Sequence, residues 1–211
     1  MNHNLSFLHR WEIGADPRGT TLLLLHGTGG TEHDLVDLGR TLFSGANLLS
    51  PRGQVNENGM ARYFRRLAEG VFDLEDLHAR TAGLAKFVTE ASEAYGFDPT
   101  KVVAVGFSNG ANIAASLLLS GTNTLAGAVL LHPMVPFEPE TLPVLKGVPV
   151  FVGAGRTDPM VPIPLTERLV ELLTAGGATV ETHWQPGGHR LTREEVEAAT
   201  VWIQKGERPW N

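Results

Sequence analysis

Six short runs, almost purely apolar, punctuate this chain: TLLLLH (21–26), ANLLS (46–50), KVVAVGF (101–107), AGAVLLH (126–132), VPVFVGA (148–154) and the more mixed ATVETHW (178–184). Each has the length of a strand, and most are apolar at odd and even positions alike. A strand with one wet face alternates; a strand that does not is covered on both faces, as in the interior of a parallel sheet. Ahead of them, Leu5, Phe7, Trp11 and Ile13 share one side of a period-two pattern, with Ser6, Arg10 and Glu12 on the other. That is the pattern of a half-buried edge strand, expected to run antiparallel.

Between the runs the period lengthens. Leu74, Leu77, Leu84, Val88, Ala91 and Tyr95 recur at helical spacing, Asp73 and Asp76 stand where N-terminal caps belong, and Gly96 closes the segment. Near the C-terminus Thr192 and Glu195 read as a capping box ahead of a buried stripe of Val196, Ala199 and Ile203. Weaker helical patterns cover 34–44, 109–120 and 163–175. Strand alternating with helix predicts a doubly wound, mostly parallel α/β sheet with an antiparallel N-terminal edge strand. Residues 133–149 hold Pro133, Pro136, Pro139, Pro143 and Pro149 and little periodicity, so a loop is expected where a crossover helix could stand. No insertion is long enough for a cap, and residues 1–211 are expected to form one domain.

The chain has no cysteine, which removes disulfides, thiolate metal sites and a thiol nucleophile together. A formal net charge of −6 without a basic stripe gives no footprint for nucleic acid or an anionic membrane. The N-terminus lacks a basic segment followed by an apolar one, and no stretch has the length of a membrane span, so a cytoplasmic protein without stable membrane association is expected.

The strand pattern of 101–107 breaks into Gly106, Phe107, Ser108, Asn109 and Gly110. Glycines punctuate strand ends widely and this chain has 24 of them, so GxSxG alone is a hypothesis. The flanks strengthen it: a buried strand precedes it, and a helix of small residues (Ala111, Ala114, Ala115) follows. In a nucleophile elbow, side chains two positions either side of the serine would collide with strand or helix, and glycines remove the collision. A serine nucleophile needs a base and an orienter, in the order Ser, Asp, His. Asp158 in GAGRTDPMVP follows one strand, and His189 in QPGGHRLT follows the last. The alternatives are a turn aspartate before proline and a solvated loop histidine. His183 falls within a predicted strand, His78 and His132 read as structural, His3 and His9 lie in the N-terminal edge strand, and Asp34, Asp73, Asp76 and Asp98 read as caps and turns.

The loop HGTGG (26–30) follows a strand where backbone N–H groups can face a developing oxyanion; Thr28 and Asn109 are the expected donors. A phosphate cradle is the rival reading, but the P-loop lysine and dinucleotide GxGxxG spacing are missing. His26 is expected to pack beneath the loop, and a metal site from His26, Glu32 and His33 is not expected, since no second ligand cluster accompanies them.

In HGTGGTEHDL, SPRGQVNENGMARYFRRLAEGVFDLEDL, GFSNGANIA, GRTDPMVP and GGH, from about Leu22 to Trp202, the chain resembles the phospholipase/carboxylesterase family of α/β-hydrolases, specifically its bacterial carboxylesterase branch. The resemblance implies the α/β-hydrolase fold without a cap domain, and a serine esterase whose Ser108, Asp158 and His189 carry the family's triad, with no cofactor and no metal. The segment after Ser50 is expected at the pocket mouth, where Met60, Tyr63, Phe64 and Phe72, with Val135, Phe137, Met160 and Val161 from later loops, are candidates to line an acyl site; ordinary core is the alternative for each. Arg52, Arg62, Arg65 and Arg66 either meet an anionic substrate group or pair with Glu57, Glu69 and Asp73. The expected partner is a small-molecule ester, of short acyl chain; a thioesterase, a lysophospholipase and a non-catalytic ligand-binding protein remain alternatives, and a homodimer is compatible with the sequence.

Overall fold

Every apolar run becomes a strand. The computed structural model describes residues 5–205 and 209–210; His3 lies outside them. In chain order come β1 (His9–Glu12), β2 (Thr21–Leu25), α1 (Val36–Leu42), β3 (Asn47–Pro51), β4 (Val55–Glu57), β5 (Met60–Arg62), β6 (Arg66–Ala68), β7 (Val71–Phe72), α2 (Leu74–Tyr95), β8 (Val102–Phe107), α3 (Asn109–Leu119), β9 (Gly127–Leu131), β10 (Pro149–Gly155), α4 (Ile163–Ala175), β11 (Thr179–Gln185) and α5 (Arg193–Gln204). Seven strands form one sheet in the order β1-β3-β2-β8-β9-β10-β11, with β1 antiparallel to β3 and the other pairs parallel. β4–β5 and β6–β7 are two small hairpins outside it.

The lack of alternation in the runs is explained by where their side chains go. Leu23, Leu25, Leu49, Val102, Ala104, Ala128, Leu130, Val150 and Val152 enter one apolar cluster, completed by Leu77 and Leu84 of α2, Ile113 and Leu117 of α3, and Leu169 and Leu173 of α4. Their neighbours in sequence, Leu22, Leu24, Leu48, Val103, Val105, Val129, Leu131 and Phe151, enter a second cluster with Val36 and Leu42 of α1 and Ala199, Trp202 and Ile203 of α5. Burying such a side chain contributes roughly 1.5–3 kcal/mol, and the central strands do so on both faces.

α2 starts and ends as its sequence predicts. The Asp73 carboxylate accepts from the Asp76 N–H, and Gly96 takes the left-handed conformation (φ 77°) with its N–H on the Ser92 carbonyl. Asp76 itself receives the Arg65 N–H and Arg80 instead of capping. The edge strand is shorter than predicted and Ile13, beyond it, is exposed. α5 forms only half of a capping box: Thr192 Oγ1 accepts from the Glu195 N–H, but the Glu195 carboxylate turns into the protein. The stretch 133–148 forms no helix or strand. Among the described residues no helix is long and apolar enough to cross a membrane.

Candidate active site

One residue, Ser108, joins β8 to α3, and it stands at φ 53°, ψ −115°. A positive φ at a residue with a Cβ costs about 1–3 kcal/mol and persists only where the surroundings enforce it. Here the Ser108 N–H donates to the Leu131 carbonyl and its carbonyl accepts from the Asn112 N–H. The flanking glycines are a steric necessity: a Cβ on Gly106 would lie 2.5 Å from the Gly110 carbonyl oxygen, and one on Gly110 would run into the Leu25 carbonyl of β2. Gly110→Ala is therefore expected to destabilise by about 3 kcal/mol, lowering Tm by roughly 6–12 °C at this chain length. Gly83→Ala in α2, whose new Cβ meets nothing within 4 Å, is expected to leave Tm unchanged or raise it slightly. Calorimetry of the pair decides, and equal melting temperatures would refute the steric argument.

The turn points Ser108 Oγ at His189 Nε2, 2.8 Å away, and His189 Nδ1 lies 2.6 Å from Asp158 Oδ2. Asp158 follows β10, and its Oδ1 accepts the N–H groups of Met160 and Val161. His189 sits in the loop after β11, which Gln185 shapes by donating to the carbonyls of Gly188 and Arg190. Burial alone would raise the Asp158 pKa, but hydrogen bonds from His189, His132 and the Met160 N–H outweigh it and hold the carboxyl below its ordinary value. Such a chain can take a proton from the serine hydroxyl and stabilise the imidazolium that results. His183 lies in β11 beside Phe151.

Read from the sequence as structural, His132 proves to be a member of this cluster. It follows β9 at φ 54° and is fully buried. Its Nδ1 stands 2.9 Å from Asp158 Oδ2, the oxygen that His189 also uses, and its Nε2 stands 3.3 Å from Glu195 Oε2. Burial opposes a charged imidazole, yet the Glu195 and Asp158 carboxylates prevail and raise the His132 pKa. Gly153 leaves the space that Glu195 fills, since a Cβ there would strike Glu195 Oε1. The available signal was positional: Ser108, His132 and Asp158 follow the neighbouring strands β8, β9 and β10 at one edge of the sheet. Ligand atoms of His132, Asp158 and His189 lie within 4.8 Å of one another, but Asp158 Oδ2 already engages both imidazoles. The trio His26, Glu32 and His33 does not converge: Glu32 pairs with Arg52 and His33, whereas His26 serves the loop.

His26 is buried with Nδ1 2.6 Å from the Gly27 carbonyl oxygen, and its Nε2 accepts the Gly53 N–H at 3.0 Å, an arrangement that fixes the neutral tautomer protonated on Nδ1. Burial lowers its pKa. The loop is tied to β5 by Gly29 N–H donating to the Ala61 carbonyl and by Arg62 donating to Thr28 Oγ1 at 2.6 Å. Thr28 and Asn109 both face the cavity that contains Ser108. Asn109 opens α3, so its N–H has no partner within the helix.

That cavity is small, about 230 Å³. Met60, Phe72, Met160 and Val161 line it as the sequence suggested. Tyr63, Phe64, Val135 and Phe137 do not; Tyr63 is buried with its hydroxyl donating to the Pro51 carbonyl. Phe64 is fully buried behind Phe72, with ring centroids 5.0 Å apart. The Val135 N–H is tied to the Leu165 carbonyl and its side chain packs on the core, while Phe137 packs against His78. From the proline-rich loop Met134 faces the cavity, its N–H donating to Asn112 Oδ1. Arg62 and Arg66, two of the four arginines read as either meeting an anionic substrate group or pairing with acids, line the cavity, and so do Met134, Asn112 and Glu69, which the sequence did not point to as lining. Arg52 pairs with Glu32, and Arg65 with Asp73 and Asp76.

The family model described as phospholipase/carboxylesterase matches residues 11–206. MhqD of Bacillus subtilis (strain 168) is 50% identical over 197 residues, covering 93% of this chain and 98% of that protein. The crystal structure of the Bacillus cereus carboxylesterase superposes with a TM-score of 0.93 at 50% identity, over 95% of this chain and 94% of that one. Acyl-protein thioesterase 1 of Cryptococcus neoformans is 28% identical over 171 residues, 72% of each chain.

Proposed function

The chain belongs to the phospholipase/carboxylesterase family and is an enzyme that hydrolyses esters, and we propose that it acts as a serine carboxylesterase on small, short-chain esters through an acyl-enzyme. The supporting observation is the unbroken chain from Ser108 Oγ through His189 to Asp158, opening on a cavity. His189 Nε2 takes the proton as Ser108 Oγ bonds to the ester carbonyl carbon. Asp158 holds Nδ1 and stabilises the imidazolium. The tetrahedral oxyanion faces the N–H groups of Thr28 and Asn109, at the positive end of α3. Its collapse breaks the bond to the alcohol oxygen, which leaves with the proton from His189. Water, activated by His189, then releases the acid and restores Ser108.

Short acyl chains fit the cavity's size. Each buried methylene contributes about 0.8 kcal/mol and one left in water almost nothing, so the gain stops when about 230 Å³ is filled. A thioester or lysophospholipid substrate would use the same groups, and the likeness to an acyl-protein thioesterase favours the former of these. The test is hydrolysis of p-nitrophenyl esters from acetate to palmitate, below micellar concentrations, before and after one equivalent of a fluorophosphonate. Specificity is expected to rise over the first few carbons and then level or fall, with all turnover lost on labelling. A steady rise to palmitate would favour the long-chain reading, and unlabelled, inactive protein would favour a binding protein.

A further inference from the structure

Two guanidinium groups line the cavity above Ser108. Arg62 is only 4% exposed; its Nε donates to the Phe64 carbonyl and its Nη1 to Thr28 Oγ1. A guanidinium so deeply placed ordinarily has a carboxylate in hydrogen-bond contact. Here Glu57 Oε2 stands 3.7 Å from Nη1, too far for a hydrogen bond. Glu57 gives its other oxygen to Arg66 Nε at 2.9 Å, so two cations share one carboxylate. Among the described residues none accepts from Arg62 Nη2. Burial and the charge of Arg66 both depress the Arg62 pKa, with Glu57 opposing them. Glu69, at the rim, is exposed and pairs with neither arginine. Met60, Phe72, Met134, Met160 and Val161 make the apolar part of the remaining wall, and Asn112 is a polar member of it.

We propose that this cavity takes an ester bearing its own carboxylate, which Arg62 and Arg66 hold while the ester carbonyl lies at Ser108. The site completes what the protein leaves undone: a planar anion supplies the acceptors that Glu57 cannot give to both guanidiniums, in the bidentate geometry that favours arginine over lysine. Thr28 spans the two functions, since its Oγ1 receives Arg62 and it faces the same cavity as Ser108. The apolar wall suits a short hydrocarbon spacer, and the small volume limits its length. Hemiesters of short dicarboxylic acids and acyl esters of small hydroxy acids have this form.

The inference rests on the esterase reading, and its test separates the two. Acid release in a pH-stat gives kcat/KM for monomethyl glutarate against the neutral isostere methyl 5-methylhexanoate, and for acetoxyacetate against isobutyl acetate. These pairs place the anion on the acyl and on the alcohol side. In at least one pair the anion is expected to be preferred by about tenfold or more, as charge-assisted hydrogen bonds imply. Arg66→Gln is expected to reduce that ratio at least about threefold; Arg62→Gln also disturbs Thr28, so Arg66 is the discriminating position. An anion preference below about tenfold in both pairs, preference for the neutral ester included, or a smaller change in the ratio, overturns the proposal. Should the enzyme hydrolyse p-nitrophenyl acetate but none of the four esters, the proposal is overturned; should it ignore p-nitrophenyl acetate as well, the esterase reading fails instead. Calorimetry with glutarate then decides the anion site: binding that Arg66→Gln weakens supports it, and absence of binding overturns it.

Discussion

Ser108→Ala is expected to lower kcat/KM on p-nitrophenyl acetate by roughly a thousandfold or more, with Tm changed by no more than a few degrees. The substitution removes one oxygen, leaves Gly106 and Gly110 in place and keeps the backbone contacts of residue 108 with Leu131 and Asn112. His189→Ala is expected to be nearly as damaging, because serine and base act as a unit and neither retains much value alone. His183→Ala, in β11 beside Phe151, is expected to stay within about threefold of the parent, as befits a side chain outside the proton path. Steady-state rates of the three variants, measured side by side, test the assignment. A Ser108→Ala enzyme within tenfold of the parent, or equal losses at positions 183 and 189, would sink it.

Sequence was most informative where one physical requirement leaves few solutions. The central strands are legible because covering both faces forbids polar alternation, and the start of α2 because the Asp73 side chain offers an acceptor to the otherwise free Asp76 N–H. Ser108 is legible because the two glycines at fixed spacing stand between a buried strand and a helix of small residues, and His189 because it alone follows the last strand in a glycine-rich loop. The hairpins β4–β5 and β6–β7 were not read, since two or three residues are too few to show a period. Yet Asn58-Gly59 was a usable signal: both residues have positive φ, 52° and 86°, as the tight turn of a two-residue hairpin requires. The cavity lining was read only in part. Met134 and Phe137 lie three residues apart in one irregular loop, one on the cavity and one on His78, and no repeat governs which way such a loop faces. Glu195 misled because the capping box is a local pattern, whereas its carboxylate answers to His132, 63 residues earlier in the chain.

That long-range pair makes the second large prediction. His132 and the side chain of Glu195 are fully buried, and Glu195 Oε1 has no hydrogen-bond partner among the described residues. His132→Leu would strip Oε2 of its partner as well, leaving a buried carboxylate uncompensated, a loss of about 3–5 kcal/mol. Tm is expected to fall by roughly 6–20 °C. Glu195→Leu alone removes the acceptor from His132, which keeps Asp158, and is expected to cost less. The double variant replaces both by apolar groups and is expected to recover much of the loss, giving a coupling of at least 1 kcal/mol in a double-mutant cycle, within the range of contacting pairs. The effect is tied to pH. Because the folded His132 pKa is raised above 6.5, its contribution to stability is complete below that value and disappears as pH rises through the folded pKa. The stability gap between parent and double variant is therefore expected to shift in favour of the double variant as pH rises through that range. The charged and titratable groups around His132 are Asp158, Glu195 and His189. Repeating the cycle with Ser108→Ala as the background, in which His189 has lost its hydroxyl partner, separates the two imidazoles. A coupling below 0.5 kcal/mol, or a gap indifferent to pH, would mean that His132 and Glu195 merely fill space behind Asp158.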